Sequence, residues 1–214
     1  MSLPTVEIVT CPKCNHEQDF AMWASINVSN SPLLKKQFLA GELNKCVCKE
    51  CGHEAMVEHP VLYHDAEKKL LVWLSNDEAP PKDDFDPSAP SMKEFLEGNN
   101  LRLVRSRNEL IEKILIFDAG LDDRHLEFIK LVLMAQMSKN GQEIQGMLFA
   151  EVVGEGADKA IGFILAGEEG NGLTIPWSAY EELATQHADI FPDPKTEAGK
   201  WLRVDLEYAN SLKW

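Results

Sequence analysis

Apolar positions along the chain fall into two regimes. Up to about residue 75 they come in short runs: Val6–Val9, Asp19–Ile26, Ala55–Glu58, Val61–Tyr63 and Leu70–Leu74 are strand-length segments set between turn residues. Beyond about residue 90 the period lengthens. Ser91-Met-Lys-Glu94 has the form of a capping box, in which hydroxyl and carboxylate satisfy each other's backbone N–H, and it predicts a helix start. Leu110, Ile111, Ile114, Leu115 and Phe117 recur at helical spacing and run into Gly120, a residue suited to the left-handed position after a helix. A second helix is predicted to start at Asp122 or Asp123 and to close at Asn140-Gly141. Its Leu126, Phe128, Ile129, Leu131, Val132, Leu133, Met134 and Met137 make it apolar almost all round. The two helices read as a hairpin.

After Gly141 the strand pattern returns at 144–152, 160–166 and 172–176. Ile161, Phe163 and Leu165 form one apolar face of the middle strand. Ser178-Ala-Tyr-Glu181 is a further capping-box pattern opening a short helix toward His187, and Leu202, Val204 and Leu206 alternate as a last strand. Residues 76–90 hold four prolines and five carboxylates and almost nothing apolar, so they predict an exposed acidic loop.

Composition narrows the class. With 214 residues, 44% hydrophobic and 26% charged, the chain has the make-up of an ordinary folded domain or two small ones. The net charge of −14 disfavours generic nucleic-acid binding, which needs clustered cations. That charge is uneven: 76–100 has two Lys and Arg against seven Asp and Glu, and 141–214 has five against thirteen. No basic, apolar leader opens the sequence and no apolar stretch approaches membrane-spanning length, which gives a cytoplasmic expectation and no membrane partner.

All five cysteines lie between Cys11 and Cys51. Cys11-Pro-Lys-Cys14-Asn-His-Glu17 and Cys48-Lys-Glu-Cys51-Gly-His-Glu54 are two copies of one pattern. A tight turn with cysteines three apart aims both sulfurs at one point, and two such turns supply the four thiolates of a tetrahedral site. The residue after the second cysteine commonly has positive φ, which Gly52 accepts freely and Asn15 less easily. Cys11, Cys14, Cys48 and Cys51 are therefore the expected ligands of one structural Zn²⁺ per chain, in a closed site without the open position that zinc catalysis needs. Cys46, two residues before Cys48, reads as a partly buried structural cysteine.

The resulting fold class is α+β: an N-terminal zinc-ribbon-like β module, a central helical hairpin, and a C-terminal small antiparallel sheet with a short helix. The expected division is 1–140 and 141–214.

The two cysteine turns together with Trp23-Ala-Ser-Ile-Asn-Val28, Gly41-Glu-Leu-Asn44, Val61-Leu-Tyr-His-Asp65 and Lys69-Leu-Leu-Val72 resemble the CpXC domain. This is a zinc-ribbon-like bacterial and archaeal family named for its Cys-Pro-x-Cys motifs. The likeness runs from about residue 8 to about residue 135 and includes Asn108-Glu-Leu and Phe117-Asp-Ala-Gly-Leu-Asp122. Cys11-Pro12-Lys13-Cys14 matches the motif literally, whereas the second copy has Lys49 in place of proline, a departure that bears on turn rigidity more than on ligation. The resemblance implies a metal-binding fold and supplies no reaction.

Two classes of function follow. One is a non-catalytic interaction module with a protein partner or a second copy of the chain, a symmetric dimer through helix 123–138 with Met134 and Met137 at the contact. The other is a metal-dependent hydrolase-like enzyme with a second site around His59, His64 and Asp65 and with Glu58 or Glu67 as general base. Against the second, Asp65-Ala-Glu-Lys68 reads as a turn between strands, and no G-x-S-x-G, H-E-x-x-H or P-loop is present. Gly167–Gly172 and Asp83-Asp84-Phe-Asp86 read as a strand connection and a solvated acidic stretch. Arg102, Arg105 and Arg107 read as partners for nearby acids rather than as an anion clamp.

Overall fold

Short strands joined by tight turns build the first half, and a helical hairpin laid against a small sheet builds the second. The computed structural model describes residues 4–76, 88–166 and 172–213 together with Ser2, Pro80 and Phe85. The carboxylates of the acidic segment at 77–86, including Asp83, Asp84 and Asp86, and the glycine-rich connection at 167–171 lie outside the described residues.

Two compact units divide between Arg105 and Ser106. In the first, β1 (Pro4–Thr10) and β2 (Glu17–Trp23) pair antiparallel from Pro4↔Trp23 to Thr10↔Glu17. Then come β3 (Ser25–Asn27), α1 (Pro32–Leu39), and a second hairpin of β4 (Lys45–Val47) and β5 (Glu54–Met56). β6 (Val61–Asp65), β7 (Leu70–Leu74), α2 (Pro90–Glu97) and β8 (Asn100–Val104) complete the unit. β3, β6, β7 and β8 form one sheet in that order, β3 with β6 and β7 with β8 parallel, β6 with β7 antiparallel. Central β7 has Leu70, Leu71 and Val72 all buried, as an unbroken apolar run requires when both faces are covered. Ile26, Tyr63, Leu101 and, from α1, Phe38 fill the same core.

The second unit opens with α3 (Arg107–Asp118) and α4 (Asp123–Lys139). It continues with β9 (Met147–Val153), β10 (Ala160–Leu165) and β11 (Gly172–Pro176), an antiparallel sheet with β10 in the middle. α5 (Trp177–Gln186), α6 (Pro194–Glu197) and α7 (Leu206–Ser211) follow. Ile116, Leu121, Leu126 and Phe128 from the hairpin share one core with Phe149, Ile161, Phe163 and Leu183. The hairpin and the C-terminal strands therefore fall in the same compact unit, Ser106–Trp214.

Helix boundaries show which local signals act. Ser106 caps α3, accepting from the Glu109 N–H at 3.2 Å, and Asp122 caps α4, accepting from the Arg124 N–H at 2.9 Å. The two capping boxes expected at Ser91 and Ser178 are corrected. α2 begins with Pro90 at its first position behind Ala89, and α5 begins at Trp177 behind Pro176; neither has a side-chain cap, and both serines lie inside their helices. In α2 the fixed φ of Pro90 at the first helical position suits the start, and α5 starts directly behind Pro176. The last strand expected over 202–206 is also corrected. Leu202 forms only an isolated bridge, and Asp205 accepts from the Tyr208 N–H at 3.0 Å to start α7. Nor is α4 apolar all round: Asp123, Arg124, Glu127 and Lys130 are buried among its apolar residues. No helix among the described residues is long and apolar enough to cross a membrane.

Candidate metal centre

Each cysteine pair sits on a turn closed by the same two backbone bonds. Cys11 N–H donates to the His16 carbonyl and Asn15 N–H to the Cys11 carbonyl, both at 2.9 Å; Cys48 N–H donates to the His53 carbonyl and Gly52 N–H to the Cys48 carbonyl, both at 2.9 Å. Asn15 and Gly52 adopt φ of 57° and 67°, the left-handed region the turn demands. The first turn links β1 to β2 and the second links β4 to β5.

The four sulfurs of Cys11, Cys14, Cys48 and Cys51 lie within 4.8 Å of one another. Across the turns, Cys11 Sγ is 3.7 Å from Cys51 Sγ and Cys14 Sγ is 3.6 Å from Cys48 Sγ. These separations are far too long for disulfides, whose S–S bond is about 2.05 Å. They match the edge, about 3.8 Å, of a tetrahedron with metal–sulfur bonds of about 2.3 Å. Two edges of the cluster thus have the length a tetrahedral site needs, and the four-sulfur donor set fits a thiolate-bound metal ion. Cys11 and Cys48 are buried and Cys14 is exposed, so the cluster sits at the surface end of the two hairpins.

The sulfurs do not ionise alike. At Cys11, burial is outweighed by the Cys14 and Lys13 N–H groups, and the thiol is drawn down to about 6. At Cys14 the His16 N–H works against burial and the neighbouring thiols, which win and push it up to about 12.

Gln18, which the sequence reading passed over, joins the hairpins. Its side-chain amide on β2 donates to Cys46 Sγ at 3.2 Å and to the Val47 carbonyl at 3.1 Å, while its Oε1 accepts from the Lys49 N–H at 2.8 Å. One buried side chain thereby fixes both β4 and the turn that carries Cys48. The available signal was a break in the repeat: after the shared His-Glu pair, one copy continues with Gln18 and the other with Ala55. Cys46 is buried and bonded to Gln18, outside the four-sulfur group. Asn44 clamps the end of β2: it accepts from the Trp23 N–H at 2.7 Å and donates to the Trp23 carbonyl at 3.2 Å. Beside the sulfurs lies a cavity of about 370 Å³ whose lining includes Val9, Gln18, Cys46, His53 and Met56.

His59, His64 and Asp65 do not converge. His59 Nε2 lies 3.5 Å from Glu7 Oε1, His64 Nδ1 lies 3.3 Å from Asn27 Nδ2, and Asp65 Oδ2 accepts from Lys35 Nζ at 3.1 Å. Asp65 also accepts from the Lys68 N–H at 3.3 Å, the bond of a turn opener. Among the described residues, the group placed to hold a metal is the cysteine quartet. Of the three arginines, Arg102 is buried in β8 and donates to the Leu101 carbonyl at 3.2 Å.

No curated protein and no solved structure matches the chain. The family model described as CpXC protein matches residues 9–130, more than half of the sequence and all four candidate ligands, so the chain belongs to the CpXC family.

Proposed function

We propose that the protein is a structural zinc-binding protein of the cytoplasm that works as a non-catalytic interaction module. One Zn²⁺ is held by Cys11, Cys14, Cys48 and Cys51. The single observation behind this reading is the four-sulfur cluster, whose 3.6–3.7 Å edges across the turns already have tetrahedral dimensions. Four thiolates saturate zinc and keep no position for water or substrate, so the ion supplies folding energy rather than Lewis acidity. The absence of convergence among His59, His64 and Asp65 supports the same choice over a hydrolase.

The partner in this reading is a protein, a second copy of the chain included. Val6, Ile8, Val47 and Met56, all on the cysteine-bearing hairpins, are among the exposed large apolar residues. Generic nucleic acid is a poor partner for a chain of −14 charge.

Elemental analysis of the protein purified without added metal tests the assignment. One zinc per chain and a colourless solution are expected. Sulfur-to-iron absorption bands, or a folded chain free of metal, reject zinc as the resident ion. For the module reading, a Val6→Lys/Ile8→Lys double variant keeps its zinc and loses its partner.

A further inference from the structure

Five charged side chains close on one another inside the second unit. Lys113 Nζ on α3 lies 3.1 Å from Asp123 Oδ2 and 3.3 Å from Glu127 Oε1 on α4, and it donates to the Val204 carbonyl at 2.6 Å. Lys130 Nζ lies 2.8 Å from the same Glu127 Oε1 and 3.0 Å from Glu112 Oε1, which also accepts from the Phe149 N–H at 2.6 Å. None of the five side chains is more than 4% exposed.

Among the described residues these contacts bring two ammonium groups to three carboxyl groups, and the pairing leaves one over. Lys113 pairs with Asp123, whose place in the first turn of α4 favours a negative charge. Lys130 pairs with Glu112, whose charge the Phe149 N–H stabilises further. Glu127 is the surplus. Both lysines reach it at a single oxygen, and the carbonyl oxygen of a neutral carboxyl accepts the same two bonds. A proton on Glu127 thus removes an uncompensated charge from a buried site without breaking a contact.

We propose that this network is a proton-dependent latch: near neutral pH it holds one proton on Glu127, and loss of that proton weakens its hold on the C-terminal segment at Phe149 and Val204. All five residues lie within the family match, 9–130, and both backbone anchors lie beyond it. The latch therefore joins the family's helices to the segment that follows them.

The charged groups facing Glu127 are Lys113 and Glu112 from α3 and Lys130 from its own helix, with Asp123 acting through Lys113. β9 presents the Phe149 N–H, and the segment before α7 presents the Val204 carbonyl. Burial pushes the Glu127 carboxyl upward against the pull of both lysines, Glu112 adds to the rise, and the net direction is up. A carboxyl raised in the folded state contributes its stability in full below its ordinary value of 4.5 and loses it as pH climbs through the raised value. The latch loosens toward alkaline pH.

The test uses the full zinc-loaded chain and Glu127→Gln, which keeps the carbonyl acceptor and carries no charge. The variant is expected to melt at or above the wild type at neutral pH and to lack the decline that the wild type shows as pH rises from 4.5 through the raised value. Amide exchange over 147–153 and 204–211, corrected for its intrinsic pH dependence, should rise with pH in the wild type only. A variant that melts lower at neutral pH and keeps the same decline overturns the proposal. Carbon-13 NMR of glutamate carboxyls in the wild type reads the proton whether or not the variant folds. One buried glutamate still protonated at neutral pH supports the latch, and every glutamate ionised there overturns it.

Discussion

Asn15 and Gly52 hold the same place in two copies of one turn: each has positive φ, and each donates its N–H to the carbonyl of the first cysteine of its pair at 2.9 Å. The chemistry at the two places differs only in the side chain. A left-handed conformation costs about 1–2 kcal/mol for an ordinary L-residue, least for Asn and nothing extra for Gly.

Asn15→Gly should therefore be neutral or stabilise slightly, while Gly52→Val should destabilise by about 1–2 kcal/mol and weaken metal retention to match. A Cβ at Gly52 meets nothing within 4 Å, so the loss is the backbone conformation alone. Thermal melts and chelator competition on the metal-loaded protein measure both. Equal tolerance of valine at 52 and glycine at 15 would remove the conformational argument.

The cysteine quartet makes a separate prediction through Cys46. Serine at Cys11, Cys14, Cys48 or Cys51 should release the metal. Cys46→Ser should keep the metal, because Gln18 bonds a hydroxyl there as well as a thiol. Gln18→Ala should lower metal affinity about tenfold or more, the usual effect of removing a residue that orients a ligand-bearing segment. Loss of metal in Cys46→Ser with retention in Cys48→Ser would exchange the two assignments.

Asp65 gives the first unit an acid-sensitive joint. Burial raises its carboxyl, but the Lys35 ammonium, the Lys68 N–H and the Tyr63 hydroxyl outweigh it and hold the group below the ordinary 3.8. A depressed carboxyl contributes stability above that ordinary value and loses it as pH falls through the lower, folded value. Asp65→Asn should cost about 1.5–3 kcal/mol at neutral pH, the worth of hydrogen bonds to a charged group, and flatten the acid limb of the stability profile. His64 adds to the acid loss, because burial keeps its imidazole neutral below its ordinary range. An unchanged acid limb in Asp65→Asn would assign the loss elsewhere.

The cysteine turns were legible because everything that makes them is local and occurs twice: ligand spacing, the left-handed residue and the strands on either side. α3 and α4 were legible for a similar reason, since capping residue, periodicity and closing glycine lie within one segment. The charge network was not. Glu112 and Lys113 interrupt the apolar pattern of α3 as a solvated face does, and the partners that meet them on α4, at Phe149 and at Val204 lie outside that segment. Ser91 and Ser178 failed as caps because each helix starts one residue before its serine, α2 at Pro90 and α5 at Trp177. Leu202, Val204 and Leu206 alternate as a strand does, yet Asp205 supplies a cap that turns the chain into α7. Short-range signals conflict there, and tertiary packing decides.

Self-association is the remaining prediction, and α4 now divides into two halves that bear on it differently. Its first half is committed to the fold, with Leu126, Glu127, Phe128, Ile129 and Lys130 all buried. In its second half Leu131, Met134 and Met137, spaced by three and so on neighbouring faces, are only partly covered. We propose that a second copy of the chain covers this half across a two-fold axis, the usual symmetry of a homo-oligomer. Met134 and Met137 also pack on the core of their own chain, so a charge there could act on the fold as well as on the contact. The two effects separate on measurement: Met137→Glu should give a metal-loaded monomer with a wild-type melt if the face is an interface, and an early melt at unchanged mass if it is core. Light scattering that finds the wild type monomeric at micromolar concentration would end the dimer reading before any variant is made.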